Sequence, residues 1–211
     1  MLQFAEMGCE VTGIDLSAER IAQANSFFRA LNVEATFCAI DFFEMECFDE
    51  TDKYDIILVH DVIEHIEQKA RFFNHIKQFV ARNGIIFWGF PAWQMPFGGH
   101  QQICRNKFCS MLPFIHLLPK SIYGRVLSIF GESESCINEL MNIKKCRMSI
   151  EKFERLIRES NHILIDRRLW LINPHYKQKF NLTPRKLYVL SHVKYVRNFF
   201  ATSCFYITKC G

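Results

Sequence analysis

The stretch DKYDIILVHDVIEHI, residues 52–66, decides the reading of this chain. Its first half, YDIILV, is a near-continuous apolar run of the kind found in a strand covered on both faces, as in a parallel sheet. It ends on His60 and Asp61, where an open α/β sheet places its ligands. Upstream, residues 10–15 (EVTGID) form a short β-branched run closed by an acid. Ser17 then reads as a helix N-cap, with Glu19 near the positive end of the helix dipole. Ile21, Ala24, Phe28 and Leu31 follow at helical spacing. Residues 34–40 read as a second strand, closed by Asp41. Downstream of residue 66, Phe72, Phe73, Ile76, Phe79 and Val80 share one side of a helix that is expected to stop at Asn83-Gly84, a C-cap pair. Residues 84–90 (GIIFWGF) read as another buried strand, ended by Pro91. Strands alternating with helices in this order predict a parallel sheet with right-handed crossovers.

The alternation breaks after residue 91. Residues 92–148 carry Pro96, Gly98, Gly99, Pro113, Pro119 and two helical stretches near residues 122–130 and 134–145, and read as an insertion over the strand ends. Order resumes with Ser149 as an N-cap and a helix bearing Phe153, Leu156 and Ile157. Residues 163–171 and 199–209 read as two closing strands joined by a basic connection. The expected organisation is a first part, 1–91, a helical cap, 92–148, and a closing part, 149–211.

With 211 residues, 49% of them hydrophobic, the chain has the composition of a globular domain and not of a disordered one. No apolar run reaches the ~18 residues of a membrane span, and the acids at 6, 10, 15 and 19 suit no secretory leader. A cytoplasmic protein is expected. Its nine cysteines are scattered and never spaced as C-x-x-C, so they read as buried thiols in a reducing compartment. His100, Cys104, Cys109 and His116 come nearest to a ligand set, but their spacing is too irregular to read as zinc. Residues 1–100 hold 7 Lys/Arg and 15 Asp/Glu, a net −8; residues 101–211 hold 19 and 7, a net +12. The basic half could meet an anionic lipid surface, a phosphorylated substrate or nucleic acid, or be a solvated face.

Three segments carry the resemblance to a known family: GCEVTGIDLSAERIAQA (8–24), DKYDIILVHDVIEHI (52–66) and RNGIIFWGFP (82–91). In order and spacing they resemble the second, fourth and fifth strands of class I S-adenosylmethionine-dependent methyltransferases. Among these the chain is similar to the small-molecule group that includes the quinone-biosynthesis O-methyltransferases. The resemblance implies a Rossmann-like, mostly parallel twisted sheet with an antiparallel last strand, in the order 3-2-1-4-5-7-6. It implies that Asp15 binds the cosubstrate ribose with Leu16 beside the adenine, that Asp41 and Phe42 flank the adenine, and that His60 and Asp61 lie beside the methionine part. A carboxylate at a strand end offers two acceptor oxygens to two ribose hydroxyls, which suits Asp15 to that role.

One hallmark is missing. The family's acidic-Gly-x-Gly-x-Gly loop, which lets backbone approach the cosubstrate closely, has no counterpart among the nine glycines. Residues 1–7 would fall at the tail of the family's first helix, so the central first strand is expected to be absent and the chain to be a fragment of a longer protein. Weak cosubstrate binding and impaired activity are expected in consequence.

Asp61, Glu64 and His65 form D-x-x-E-H, which resembles the E-x-x-E-H of relatives that use magnesium or a similar divalent ion. Two oxygen ligands and an imidazole one turn apart suit such a cation. The competing reading has Glu64 complementing a helix N-terminus and His65 lining the acceptor pocket. In the cap, Trp93 and Phe97 are candidates to stack an acceptor ring. His100 is the first candidate for a general base and His65 the second. The expected function is methyl transfer to a small or lipid-like acceptor. The alternatives are a non-catalytic fragment acting as an interaction module, and a nucleic-acid methyltransferase, which lacks a recognised binding motif here.

Overall fold

The computed structural model describes all residues, 1–211. They divide into two compact units, Met1–Asp52 and Lys53–Gly211. The first contains α1 (Leu2–Glu6), β1 (Thr12–Asp15), α2 (Ala18–Ala30) and β2 (Thr36–Ala39). β1 and β2 pair in parallel, Thr12 opposite Thr36 and Asp15 opposite Ala39. Ser17 caps α2 as its sequence suggests, its hydroxyl accepting from the Arg20 N–H.

The second unit runs β3 (Tyr54–His60), α3 (Lys69–His75), β4 (Val80–Phe90), α4 (Lys107–Met111), α5 (Lys120–Ile129), α6 (Glu134–Cys146), α7 (Ile150–Glu159), β5 (His162–Ile172), α8 (Tyr176–Phe180), β6 (Arg185–Lys186), α9 (Arg197–Phe200) and β7 (Ser203–Cys210). Its five strands are ordered β3-β4-β7-β5-β6. β3 and β4 are parallel, and β7 lies antiparallel between β4 and β5. β3, β4 and β5 thus run one way, and the last strand in sequence inserts against them. This is a Rossmann-like α/β arrangement, as the strand pattern implies. Within its own sheet, β2-β1 agrees with the 3-2 part and β3-β4-β7-β5 with the 4-5-7-6 part of the order that the resemblance implies. Ile56 and Leu58 of β3 are 44% and 42% exposed.

Three elements differ from expectation. The helix carrying Phe72 ends at His75, passes through one 3₁₀ turn (Ile76–Phe79) and gives way to β4 at Val80. Asn83-Gly84 is therefore no helix cap. It sits in a register shift between Tyr54–Val80 and Ile56–Ile85, where β4 accommodates extra residues. A Cβ on Gly84 would stand 2.8 Å from the Tyr54 carbonyl oxygen, so close backbone approach requires glycine there. Second, Phe199 and Phe200 are helical, and β7 begins only at Ser203. Third, β6 adds a two-residue edge that sequence gave no sign of.

The core of the larger unit forms around Trp88. Its ring stacks on Phe73 at 4.5 Å, meets Phe153 edge-on at 5.5 Å, and its indole N–H donates to the Thr208 hydroxyl at 2.9 Å. The helical stripe of α7 supplies Phe153, Leu156 and Ile157, all buried, with Ser149 capping the helix through the Lys152 N–H. A second apolar cluster, Cys104, Cys109, Ile115, Tyr123, Leu127 and Leu140, holds residues 104–140 together.

The basic segment is partly structural. Arg197 is buried, pairing with Glu151 at 2.9 Å and Glu154 at 2.6 Å. Asn198 and the Tyr206 hydroxyl donate to the same two carboxylates. Lys186 lies over the Trp170 ring and Lys179 over Phe180. No helix is long and apolar enough to cross a membrane.

Phe153 is fully buried and touches Phe73, Trp88, Phe90 and Tyr206. Phe153→Ala is expected to cost ~3–5 kcal/mol in urea denaturation, since a cavity adds to the lost transfer energy. A loss below about 1 kcal/mol would show that α7 is not clamped to the sheet.

Candidate functional site

The larger unit's candidate site begins at the carboxyl end of β3. His60 pairs with Gly89 of β4 in the sheet register. A Cβ on Gly89 would lie 2.5 Å from His60 Cδ2, so the missing side chain makes room for the imidazole. The chain then turns sharply. Asp61 takes a left-handed φ of +53°, and its N–H donates to the Gly89 carbonyl at 2.8 Å. Its carboxylate pairs with His60 Nδ1 at 3.0 Å, and this contact raises the His60 pKa against the opposing effect of burial.

Past this turn, Val62 to Ile66 forms tight turns instead of a helix, with the His65 N–H donating to the Val62 carbonyl. Ile63 and Glu64 are buried and His65 is exposed. Glu64 is 4% exposed, and neither carboxylate oxygen has a hydrogen-bond partner. Burial raises its pKa from the usual 4.5 to about 8, helped by the Asp61 charge and only partly offset by its own amide, His60 and Lys69. Lys69 is itself buried, donating from Nζ to the Ile63 carbonyl at 2.8 Å, and desolvation lowers its pKa to about 8. A buried, unpartnered carboxyl is costly, and its retention marks a candidate functional group.

His100 completes the cluster. It lies in the loop after β4 with a φ of +57°, and its ring meets His65 edge-on at 5.0 Å. Ligand atoms of Glu64, His65 and His100 lie within 4.8 Å of one another. Burial and the neighbouring His65 lower the His100 pKa, so its imidazole is neutral and can accept a proton near neutral pH. Two imidazoles and a carboxylate with free lone pairs fit a borderline divalent cation. The residue expected as the third ligand, Asp61, stays close enough to act on Glu64 and His100 electrostatically but is paired with His60.

The two proposed stacking residues part company. Trp93 is 6% exposed, its ring against His116 at 4.7 Å and under Lys144. It packs the cap from inside, whereas Phe97 remains half-buried. His116 is likewise structural: fully buried, it bonds the Trp93 carbonyl through Nε2 at 2.7 Å, and burial lowers its pKa to about 4. Its ring nitrogens stand in neither cluster of ligand-type atoms, so it does not join His100, Cys104 and Cys109 in one.

In the smaller unit, Asp15 ends β1, accepting from the Ser17 N–H at 2.8 Å and pairing with Arg20 at 3.5 Å. Leu16, next to it, is 74% exposed. Asp41 follows β2 and accepts from the Phe43 N–H at 2.9 Å, opening the 3₁₀ turn that carries Phe42. A carboxylate held by backbone N–H groups keeps lone pairs for a ligand hydroxyl or amine, and a large exposed apolar neighbour suits the face of a heterocycle.

In the metal-free protein, the folded chain keeps a proton on Glu64 that the unfolded chain releases above pH 4.5. That contribution to stability is full below pH 4.5 and is lost as pH rises through about 8. Glu64→Gln is expected to flatten this decline in thermal unfolding under chelator. A wild-type melting temperature unchanged from pH 5 to about 8.5 would contradict a protonated Glu64.

Comparisons with known proteins bear on this geometry. The methyltransferase-domain family matches residues 1–183. The ubiquinone biosynthesis O-methyltransferase of Glaesserella parasuis serovar 5 (strain SH0165) is 28% identical over 86 residues, which is 39% of this chain and 36% of that protein. That of Rhodopseudomonas palustris (strain TIE-1) is 32% identical over 85 residues, 39% of this chain and 32% of the relative. The chain thus spans about a third of the length of the curated relatives it matches. A SAM-dependent methyltransferase from Methanosarcina mazei superposes with a TM-score of 0.59 at 12% identity, covering 99% of this chain and 85% of that one. Magnesium protoporphyrin IX methyltransferase from Synechocystis PCC 6803, solved with bound SAH, superposes with a TM-score of 0.54 at 12% identity, covering 99% and 67%. At such identities the two structures speak for the fold. With 183 of its 211 residues matched, the chain belongs to the methyltransferase-domain family.

Proposed function

We propose that the protein takes part in S-adenosylmethionine-dependent methyl transfer to a small or lipid-like acceptor. The observation that carries this reading is the placement of polar groups at the carboxyl ends of parallel strands within each unit. Asp15 ends β1 and Asp41 follows β2 in the smaller unit, and in the larger unit His60 ends β3 with Asp61 after it. Asp15 would accept from ribose hydroxyls, Leu16 and Phe42 would cover the adenine, Asp41 would accept from its amine, and His60 and Asp61 would meet the methionine part. The cosubstrate supplies a methyl group on a sulfonium, which needs alignment with the acceptor more than acid-base help. His100 would take the proton of a hydroxyl or amine acceptor, with His65 beside it. Residues 92–148 would cover the acceptor, and the His65–His100 contact ties the start of that cap to the turn after β3. Phe97 would border the acceptor.

Glu64, His65 and His100 are proposed to hold a divalent ion where the reaction needs one, in which case His100 serves as a ligand and not as the base. With two imidazoles, the set favours iron or zinc over magnesium. Such an ion would orient an acceptor oxygen and lower its pKa.

Because the sequence has no Gly-x-Gly-x-Gly run, the chain is expected to bind S-adenosylhomocysteine weakly in calorimetry. Asp15→Ala should weaken that binding by ~1–3 kcal/mol, the cost of losing a charge-assisted acceptor. Under saturating cosubstrate, His100→Ala should lower acceptor turnover by ~10²–10⁴-fold and leave S-adenosylhomocysteine binding unchanged. Tight binding by this chain would overturn the inference from the missing glycines. Absence of binding at any concentration would favour a non-catalytic interaction module.

A further inference from the structure

The cap contains a second cluster of ligand-type side chains, remote in sequence and independent of the methyl-transfer reading. Cys104 follows a short 3₁₀ turn (Gln101–Ile103), Glu132 lies in the turn between α5 and α6, and Cys136 is in the first turn of α6. Their sulfur and oxygen atoms lie within 4.8 Å of one another. Cys104 and Glu132 are 7% and 8% exposed, and Cys136 is half-buried. We propose that Cys104, Glu132 and Cys136 form a structural site for a soft divalent cation such as zinc, with Cys109 as the fourth ligand.

Three features support the assignment. The Glu132 carboxylate is fixed: Oε1 accepts from the Asn106 N–H at 2.8 Å and Oε2 from the Arg105 N–H at 3.1 Å, and the Cys136 thiol also donates to it, a proton that a metal ion would replace. Cys109 is fully buried and near enough to both other cysteines and Glu132 to interact with them electrostatically. The hydroxyl of Tyr123, 0% exposed in the same cluster, has no hydrogen-bond partner and lies within electrostatic reach of all three cysteines. A metal-bound thiolate is the acceptor such an orphaned donor lacks, and an outer donor of this kind tunes a thiolate site.

The donor set selects the metal. Thiolates and one carboxylate suit zinc, which is tetrahedral with Zn–S near ~2.3 Å, so bound sulfurs stand roughly 3.8 Å apart. Donors already within 4.8 Å reach that geometry through small side-chain movements. Binding would release the thiol protons and cross-link three segments: the strand of chain before α4, the α5–α6 turn and the start of α6. Without a metal the thiols stay protonated, burial pushing Cys104 up to about 12.

The test uses the reduced, metal-free 211-residue chain titrated with Co²⁺ and then Zn²⁺. A sulfur-to-cobalt charge-transfer band is expected, displaced by zinc. Glu64, His65 and His100 offer no sulfur and cannot produce it. The paired substitution Cys104→Ser, Cys136→Ser should abolish the band, and Glu132→Gln should weaken cobalt binding. If the paired variant fails to fold, the wild type decides alone. Zinc should slow alkylation of Cys104 and Cys136, followed by peptide mass spectrometry, by about tenfold or more, and a chelator should reverse it. Absence of the band with all thiols free, or alkylation indifferent to zinc, would overturn the site. A Cys104–Cys136 disulfide found in the protein as isolated, with no metal bound after reduction, would overturn it equally.

Discussion

The candidate site depends on one close approach between neighbouring strands. Gly89 has no side chain where His60 lies, and its carbonyl receives the Asp61 N–H. That hydrogen bond holds Asp61 in a left-handed conformation which a non-glycine residue adopts only at a cost of ~1–3 kcal/mol. The sharp turn ends β3 and leaves Glu64 buried and His65 exposed beside it. A methyl group at position 89 would push the imidazole away and release the turn, although Gly89 itself carries no chemistry.

The remainder of the larger unit supports a costly arrangement. Glu64 is buried without partners, and Lys69 is buried on carbonyl oxygens. These are destabilising features, which the apolar packing around Trp88 and Phe153 offsets. The pairing of Arg197 with Glu151 and Glu154 ties the long C-terminal connection to α7. Removing one partner from such a pair strands a buried charge, so the network holds that connection in place more than it adds stability. Rigid strands and a packed α7 thus carry a site made from turns and loops.

Much of the fold was legible because local signals agreed with tertiary demands. Apolar runs marked β3 and β4, and serines 17 and 149 marked two helix starts. The failures lie where one residue serves two local patterns. Asn83-Gly84 fits a helix cap and equally a strand irregularity, and only the Tyr54 carbonyl on the adjacent strand decides between them. Arg197 reads as surface charge until Glu151, 46 positions away, is brought beside it. Trp93 reads as a stacking platform until His116 covers its ring. At the site, Glu64 and His65 were visible as a pair and His100 as a separate base. Their meeting is a tertiary fact that no spacing in the sequence encodes. Glu132 carried no signal, because Cys104 lies 28 positions away and the four-residue step from Glu132 to Cys136 is by itself no ligand pattern.

The central claim is that the strand ends receive an adenosyl ligand. Titrating S-adenosylhomocysteine into the isotopically labelled chain and following backbone amide resonances tests it most directly, because weak binding still shifts resonances in fast exchange. The account predicts saturable shifts concentrated at residues 15–17, 41–43 and 60–61. Saturable shifts elsewhere with these amides unmoved, or none at the highest ligand concentration attainable, would contradict it.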